Sequence, residues 1–199
     1  LVIFLHGSGE QGTDLERVKV HGPPMLVEQG KEFPFILISP QAQRGWDAEF
    51  LYDMIMDFAK NNRVDMDRIY LTGLSMGGYG TWTLAQKHPE LFAAIVPICG
   101  SGGTKDLWKL RNMPVWCFHG EKDTVVPFSA SQVKVDTLRT YNPSVKFTSY
   151  PEVGHDSWVK AYNDPELYQW LLSQKKFKYS SKRVSSDKLS EYEGKYHYK

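Results

Sequence analysis

The architecture of this chain follows from one stretch, Arg68-Ile69-Tyr70-Leu71-Thr72-Gly73-Leu74-Ser75-Met76-Gly77, in which an apolar run leads to a serine flanked by glycines. A helix-compatible run from Gly78 to His88 follows directly. A strand that turns sharply into a helix lifts the residue at the turn above the sheet and crowds the backbone on both sides. A β-carbon on Gly73 or Gly77 would clash there. The stretch therefore predicts a strand-turn-helix unit that presents Ser75 as a nucleophile; the alternative is a glycine-rich turn without chemistry.

Apolar runs and helix-compatible runs alternate along the rest of the chain. Such alternation predicts an α/β fold, in which a mostly parallel sheet is flanked by helices. We expect strands at 1–5, 35–39, 68–72, 93–98, 114–118 and 145–150, and helices near 49–62, 77–88, 129–141 and 158–174. The connection between Cys99 and Met113 is short and rich in Gly and Lys. We therefore expect no large lid from this part of the chain.

Two polar residues follow later strands of the predicted sheet. Asp123 comes after the apolar run 113–118, and His155 comes after the alternating run 145–150. Parallel strands bring their carboxyl ends to one edge of a sheet, so we expect both side chains beside Ser75. A serine hydroxyl needs a base to take its proton and an acid to orient that base. The order along the chain predicts Ser75 as nucleophile, Asp123 as acid and His155 as base.

Each partner of Ser75 has an alternative interpretation. Aspartates such as Asp123 are common in turns, where they bond to nearby backbone amides. His119 is the main competitor of His155, but it lies four residues before Asp123 and would share a single loop with it. Asp156 directly follows His155 and is a poor orienting acid, because adjacent side chains diverge. We therefore retain Asp123 and His155.

A glycine-rich loop follows the first predicted strand. The apolar run 1–5 ends in His6-Gly7-Ser8-Gly9-Glu10-Gln11-Gly12, whose small residues let backbone amides approach a substrate closely. An oxyanion formed during attack by Ser75 needs such donors. We expect a backbone amide near Ser8 and the amide of Met76, at a helix N-terminus, to supply them. The alternative is an ordinary loop between a strand and the next element.

These motifs resemble those of the α/β-hydrolase superfamily. Within it, the chain is similar to secreted-type serine carboxylesterases, including polyester depolymerases and feruloyl esterases, and to prolyl-oligopeptidase-type catalytic domains. The resemblance runs from residue 1 to about 175 and rests on the stretches 5–10, 69–78, 118–123 and 154–156. It implies a Ser-His-Asp triad, no metal, hydrolysis of acyl esters through an acyl-enzyme, and a secreted or periplasmic protein.

The chain departs from the superfamily pattern at its start. Antiparallel strands usually precede the strand that leads to the oxyanion loop in that superfamily, whereas this sequence begins inside that strand. We therefore expect the first strands of the fold to be missing and the chain to be part of a longer polypeptide.

Four residues near the predicted edge are candidates for substrate binding. Trp46 follows the second predicted strand and is placed to stack on a sugar or an aromatic acid. Trp158 follows His155 by three residues and either forms a wall of the site or starts and packs the next helix. Glu10 and Gln11 either line the cleft or anchor the oxyanion loop. An uncapped cleft suits an ester on a bulky body, such as an acetyl or feruloyl group on a polysaccharide.

Composition fits one catalytic domain over residues 1–175, followed by a polar linker or tail over 176–199 or the start of a truncated module. The chain has 199 residues, 41% of them hydrophobic, and a formal net charge of +1. This length suits a single core, and the charge gives no reason to expect nucleic-acid binding. No apolar run reaches the ~18 residues needed to span a bilayer.

Cys99 and Cys117 are the only cysteines, and each lies in or at the end of an apolar run. They permit one bridge if their strands are neighbours, but reduced thiols that pack as small apolar groups are commoner. No Cys or His pair has metal-ligand spacing, so we expect no metal and no cofactor.

These residues favour a serine carboxylesterase that acts on a small-molecule or polysaccharide-linked ester. One alternative is a serine peptidase of the prolyl-oligopeptidase type, although the sequence offers no second domain and no pocket for a peptide N-terminus. The other is a non-catalytic binding module on the same scaffold. A broken triad would favour that module, and all three positions are filled.

Overall fold

Six parallel strands form the central sheet of the computed structural model, which describes residues 1–178. Their order across the sheet is β2-β1-β3-β4-β5-β6, and every neighbouring pair is parallel. The strands are β1 (Val2–Leu5), β2 (Leu37–Ile38), β3 (Tyr70–Leu74), β4 (Ala94–Ile98), β5 (Trp116–Gly120) and β6 (Lys146–Tyr150). The prediction of a parallel sheet is therefore confirmed.

Helices cover both faces of this sheet. They are α1 (Gly22–Glu28), α2 (Ala48–Asn61), α3 (Met76–Lys87), α4 (Phe128–Arg139), α5 (Trp158–Asn163) and α6 (Pro165–Ser173). Short 3-10 helices occur at Ser8–Glu10, Leu15–Lys19 and Leu107–Leu110. Because neither face meets solvent, β1, β3, β4 and β5 are buried along their whole length.

The strand side chains alternate between two apolar clusters. Leu71 and Ile95 face the cluster that contains side chains of α2, α3 and α4. Tyr70 and Val96 face the cluster that contains side chains of α1, α5 and α6. This period of two places each strand between the two helical layers. Because every neighbouring pair is parallel, the carboxyl ends of all six strands lie at one edge.

The helix predicted at 158–174 is wrong in one respect, because the structure divides it into α5 and α6. Pro165 has no N–H for a helical hydrogen bond and disfavours helical dihedrals at the preceding residue. Asp164 is accordingly extended, and its carboxylate accepts from the Glu166 amide to cap α6. The helix α1, which was not predicted, has Pro23 and Pro24 in its first turn, at positions where a missing N–H costs nothing.

The bounds of three strands also differ from the prediction by two residues at one or both ends, whereas the other three strands begin one residue later than predicted. β3 and β5 begin two residues later, at Tyr70 and Trp116, and the strand expected at 35–39 pairs only over Leu37–Ile38. The later ends place Gly73 and Leu74 inside β3, so the strand runs directly into Ser75.

No large lid lies in the connection from β4 to β5, as predicted. This connection holds one short 3-10 helix, and its Leu107 and Leu110 are buried in the core rather than placed over the edge of the sheet. Cys99 and Cys117 are both free and buried, so the bridge that was left open is absent.

The start of the predicted tail is attached to the domain. The Lys176 amide donates to the Asp67 carbonyl, and the Lys178 ammonium donates to the Asp67 carboxylate at 2.5 Å. The rest of that predicted tail, 179–199, lies outside the described residues. Among residues 1–178, no helix combines the length and apolarity needed to cross a bilayer.

Candidate active site

Ser75 lies at the sharp turn between β3 and α3. Its backbone has φ 51° and ψ −117°, a left-handed conformation that is strained for a residue with a side chain. The glycines fit tightly around this turn: a β-carbon on Gly73 would lie 2.9 Å from the Leu5 carbonyl oxygen, and one on Gly77 would collide with that same oxygen. The Ser75 amide donates to the Ile98 carbonyl at 3.0 Å. The turn is therefore held from both sides, and the predicted strand-turn-helix unit is present.

Ser75, His155 and Asp123 form one hydrogen-bonded relay. The distance from His155 Nε2 to Ser75 Oγ is 2.8 Å. The distance from His155 Nδ1 to Asp123 Oδ2 is 2.7 Å. A carboxylate can only accept, so Nδ1–H donates to Asp123 and Nε2 is left to accept the serine proton. The structure thus brings together the three residues that the sequence predicted for a triad.

Asp123 is buried, and all its oxygens are used. Oδ1 accepts from the backbone amides of Val125 and Val126, each at 2.9 Å. Oδ2 accepts from His155 and lies 3.1 Å from Nε2 of His119. Burial alone raises the pKa of Asp123, but the hydrogen bonds from His155 and the two amides outweigh it and leave this pKa below the ordinary value. Asp123 therefore has both of the roles that its position suggested: it accepts from backbone amides of the turn, and it accepts from His155.

The ring nitrogens of His119, the competitor of His155, contact groups other than Ser75. It is fully buried in β5, with Nδ1 2.7 Å from Ser131 Oγ and Nε2 2.9 Å from the Val126 carbonyl oxygen. Both ring nitrogens are therefore occupied. The sequence did not indicate this second contact to Asp123, although the four-residue spacing from His119 was a signal, since a tight loop after a strand brings such residues together.

The glycine-rich loop passes directly beside Ser75. A β-carbon on Gly7 would lie 3.7 Å from the Ser75 β-carbon. Met76 is the first residue of α3, and the N–H groups of a first helical turn have no partner within the helix. The Ser8 side chain is exposed. The loop and the start of α3 are thus close enough to direct backbone amides at an oxyanion on Ser75.

Side chains from other segments hold this loop in place. The Arg17 guanidinium donates to the Gly9 carbonyl at 2.7 Å, and the Gln41 amide donates to the Glu10 carbonyl at 2.9 Å. With its amide oriented to satisfy both neighbours, Gln11 donates to the Ser8 carbonyl and accepts from the Gly45 amide. Of the two roles predicted for Gln11, these contacts match the one in which it anchors the loop.

Glu10 is buried beneath the loop. It is 7% exposed, and its Oε1 is 3.8 Å from His21 Nε2. Its Oε2 has no hydrogen-bond partner among the described residues. A β-carbon on Gly7 would lie 3.1 Å from that oxygen, so the oxygen lies close beside Gly7.

The two tryptophans predicted to contact substrate occupy different positions. Trp158 lies against the triad, with its ring edge-on to His155 at 5.3 Å and tilted toward His21 at 5.3 Å. Trp46 packs beside the ring of His6 at 4.7 Å, and its indole N–H donates to the His6 carbonyl. Trp158 therefore borders the triad, whereas Trp46 supports the strand end that carries the glycine-rich loop.

Cys99 lies behind the triad. Its Sγ and ligand atoms of Asp123 and His155 lie within 4.8 Å of one another. Burial raises the pKa of the Cys99 thiol to about 12. The thiol is therefore protonated at neutral pH, while both ring nitrogens of His155 are engaged by Asp123 and Ser75.

A cavity of about 660 Å³ lies at the opposite edge of the sheet. Phe92, just before β4, and Met113, before β5, line it together with Trp108, Arg111 and Phe177. No residue of the Ser75 relay contributes to its walls, so the cavity is separate from the candidate active site.

Comparison with known proteins agrees with this geometry. The dienelactone hydrolase family matches residues 37–183. A carboxymethylenebutenolidase-like protein of Escherichia coli K12 is 28% identical over 156 residues, which are 71% of this chain and 58% of that protein. A bifunctional acetylxylan esterase/xylanase of Neocallimastix patriciarum is 25% identical over 179 residues, 85% of this chain and 26% of that protein.

Solved structures show the same architecture. A thermostable esterase superposes with a TM-score of 0.75 and 32% identity, over 87% of this chain and 54% of that one. The acylaminoacyl peptidase of Pyrococcus horikoshii has a TM-score of 0.61 and 16% identity, over 94% of this chain and 39% of that one. The chain thus spans little more than half the length of the E. coli relative and of the esterase. With its family match and its parallel sheet, the chain belongs to the dienelactone hydrolase family of the α/β-hydrolase superfamily.

Proposed function

We propose that this protein is a serine carboxylesterase in which Ser75 is the nucleophile, His155 the general base and Asp123 the residue that orients His155. The observation that carries the proposal is the continuous relay from Ser75 Oγ through His155 to Asp123, with distances of 2.8 and 2.7 Å. Hydrogen bonds of this length permit proton transfer without rearrangement.

The reaction follows from the positions of these groups. Ser75 Oγ attacks the ester carbonyl while its proton moves to His155 Nε2. The Met76 amide and a backbone amide near Ser8 stabilise the negative oxygen. Collapse of the tetrahedral intermediate breaks the bond to the alcohol, which takes the proton from His155. Water then attacks the acyl-Ser75 ester with His155 again as base, and the carboxylic acid leaves as Ser75 regains its proton.

Cys99 is the other nucleophilic side chain beside the relay, and three observations disfavour it. It is fully buried, the pKa of its thiol is about 12, and His155 Nε2 is bonded to Ser75. A nucleophilic cysteine needs access and a thiolate. We therefore assign the attack to Ser75.

The substrate class that we propose is a short-chain ester held on a larger body. Its support is the open edge, because the β4–β5 connection places no lid over Ser75. An acetylxylan esterase/xylanase and a poly(3-hydroxyalkanoate) depolymerase of Paucimonas lemoignei are among the relatives, and both names denote esterases of polymers. Trp158 is the best-placed contact, because its ring lies edge-on to that of His155; Glu10, Gln11 and Trp46 are engaged within the chain.

Two measurements test this function. Mass spectrometry after treatment with a fluorophosphonate should find the label on Ser75 and not in Ser75→Ala. Hydrolysis of p-nitrophenyl esters of increasing acyl length should then be fastest for acetyl or butyryl. A folded wild-type chain without label or turnover would contradict the proposal and favour the non-catalytic scaffold, whereas label on Ser75 with cleavage of peptide amides but not esters would favour the peptidase.

A further inference from the structure

His119 is the second imidazole in contact with Asp123. It lies in β5, is 0% exposed, and its Nε2 is 3.1 Å from Asp123 Oδ2 and 2.9 Å from the Val126 carbonyl oxygen. On the other side of the ring, Nδ1 is 2.7 Å from Ser131 Oγ. A buried polar ring with partners at both nitrogens has one orientation, so its contact with Asp123 is fixed by the fold.

The partners of His119 determine where its proton lies. The Val126 carbonyl and the Asp123 carboxylate can only accept, so Nε2 must carry a hydrogen. Burial lowers the pKa of His119 although both of these acceptors raise it, which keeps the ring neutral at neutral pH. With the proton of the neutral ring on Nε2, Nδ1 is an acceptor, and the single Ser131 hydroxyl proton faces two acceptors, Nδ1 at 2.7 Å and the Gly100 carbonyl oxygen at 2.9 Å. His119 is thus a fixed donor aimed at the same oxygen that binds His155.

This donor completes the enclosure of the Asp123 carboxylate. Oδ1 accepts two backbone amides, and Oδ2 lies between the imidazoles of His119 and His155. Without His119, Oδ2 would keep only His155 as a partner, and the two amides on Oδ1 alone would oppose rotation of the carboxylate. We propose that His119 is a positioning residue, which fixes Asp123 Oδ2 and moderates the negative charge that acts on His155. The proposal rests on the function proposed above.

Other titratable groups surround His119 and Asp123. Cys99 at the end of β4 and Cys117 in β5 are protonated over the range of interest, because burial raises the pKa of each thiol to about 12. Lys134, on α4, donates to the Gly103 carbonyl at 2.8 Å, and burial lowers its pKa to about 8. None of these three groups changes charge between pH 5 and 7, so they do not contribute to a change in the acid limb of the rate profile there.

Two amide substitutions separate positioning from packing. In His119→Gln, the amide nitrogen can occupy the place of Nε2 and donate to Asp123. In His119→Asn, the shorter amide occupies the place of Nδ1, which keeps a partner for Ser131 but does not reach Asp123. Both variants are polar and similar in size, so a purely structural role would give them similar properties.

The test measures kcat/KM for p-nitrophenyl acetate from pH 5 to 9 in wild type and both variants. We expect His119→Asn to lose about tenfold, because a hydrogen bond to a charged group is lost, and its acid limb to move up by roughly half a pH unit, since more charge on Oδ2 favours the imidazolium. We expect His119→Gln to stay within about threefold of wild type, with its limb unmoved. KM should change little in either.

Equal losses in the two variants with an unmoved acid limb would overturn the inference and assign His119 to packing. Wild-type kinetics in folded His119→Asn would overturn it as well. Fluorophosphonate labelling of Ser75 in parallel distinguishes these outcomes from failure of the proposed function: if wild type is labelled and active but the variants match each other, only the role of His119 is lost. If wild type is neither labelled nor active, the proposed function itself is lost.

Discussion

The turn at Ser75 and the turn at Cys99 share a backbone feature and differ in everything that chemistry requires. They follow the neighbouring strands β3 and β4, and among the described residues they are the two non-glycine positions with positive φ, 51° and 39°. The turns touch one another, since the Ser75 amide donates to the carbonyl of Ile98, the residue before Cys99. Both carry a side chain that can act as a nucleophile.

Their surroundings separate the two turns. Ser75 is partly exposed, begins a helix and lies 2.8 Å from His155 Nε2. Cys99 is 0% exposed, and its own amide donates to the Phe118 carbonyl at 2.9 Å. Strained dihedrals at a strand end therefore do not by themselves mark a reactive residue. A reactive residue also needs access to solvent and a base within hydrogen-bond distance, and of these two turns only the Ser75 turn has both.

Ser75→Ala should have the largest effect. It removes the attacking oxygen but leaves Cys99 and the rest of the relay in place, so kcat/KM for p-nitrophenyl esters should fall by at least about 10³-fold. Thermal unfolding should change little, because the site has room for the smaller side chain. Retention of most activity by the folded variant would contradict the assignment of Ser75 as nucleophile and would indicate Cys99 instead.

Gly77→Ala should break the Ser75 turn itself. A β-carbon there would collide with the Leu5 carbonyl, which belongs to the backbone and cannot move aside without shifting β1. We expect a loss of about 3 kcal/mol in the free energy of unfolding by urea. Gly103→Ala is the matched control in the loop after Cys99, because a β-carbon at Gly103 meets nothing within 4 Å. A Gly77→Ala protein as stable as this control would show that the turn can relax.

The Ser75 turn was predictable from sequence because its pattern is local. Glycines two positions before and after a serine, between a strand and a helix, stand in a single stretch of chain, although part of the backbone that excludes a side chain there belongs to Leu5 in β1. The order of Asp123 and His155 was predictable for a related reason, since parallel strands deliver their carboxyl ends to one edge. The parallel sheet and its helical layers were predictable from the alternation of apolar runs and helix-compatible runs along the chain.

The Cys99 turn and the contacts of His119 were not predictable in the same way. Their geometry depends on long-range packing: the Ser131 hydroxyl that faces His119 comes from α4, and it also lies 2.9 Å from the Gly100 carbonyl oxygen. No local pattern connects these segments. The division of α5 from α6 was different, because Pro165 was visible and the apolar spacing on both sides concealed its effect.

Lys134→Met tests the contact between α4 and the loop that follows Cys99. The buried Lys134 ammonium donates to the Gly103 carbonyl, and burial lowers its pKa to about 8, whereas an unfolded lysine titrates near ~10.4. Between these values the unfolded chain binds a proton that the folded chain lacks, so wild-type stability rises with pH relative to Lys134→Met.

We expect the free energy of unfolding of wild type, minus that of Lys134→Met, to rise by about 2 kcal/mol from pH 7 to pH 10, measured by urea unfolding. Titration of cysteines and tyrosines contributes equally to both proteins and cancels in the difference. Lys105→Met, at an exposed lysine of the same loop, should show no such growth. A parallel pH dependence of wild type and Lys134→Met would mean that Lys134 is hydrated in the folded chain.

Cys99→Ala should have the smallest effect on activity and is the direct counterpart of Ser75→Ala. Because the thiol is buried and protonated, its removal should leave kcat/KM within about threefold of wild type. The small cavity left by the sulfur should cost about 1 kcal/mol of stability. Native protein should also leave Cys99 unmodified by a thiol reagent that reacts after unfolding. A loss of 100-fold or more in folded Cys99→Ala, with fast modification of the native thiol, would show that burial in the resting structure does not keep Cys99 out of the reaction, and the distinction between the two turns would then rest on His155 alone.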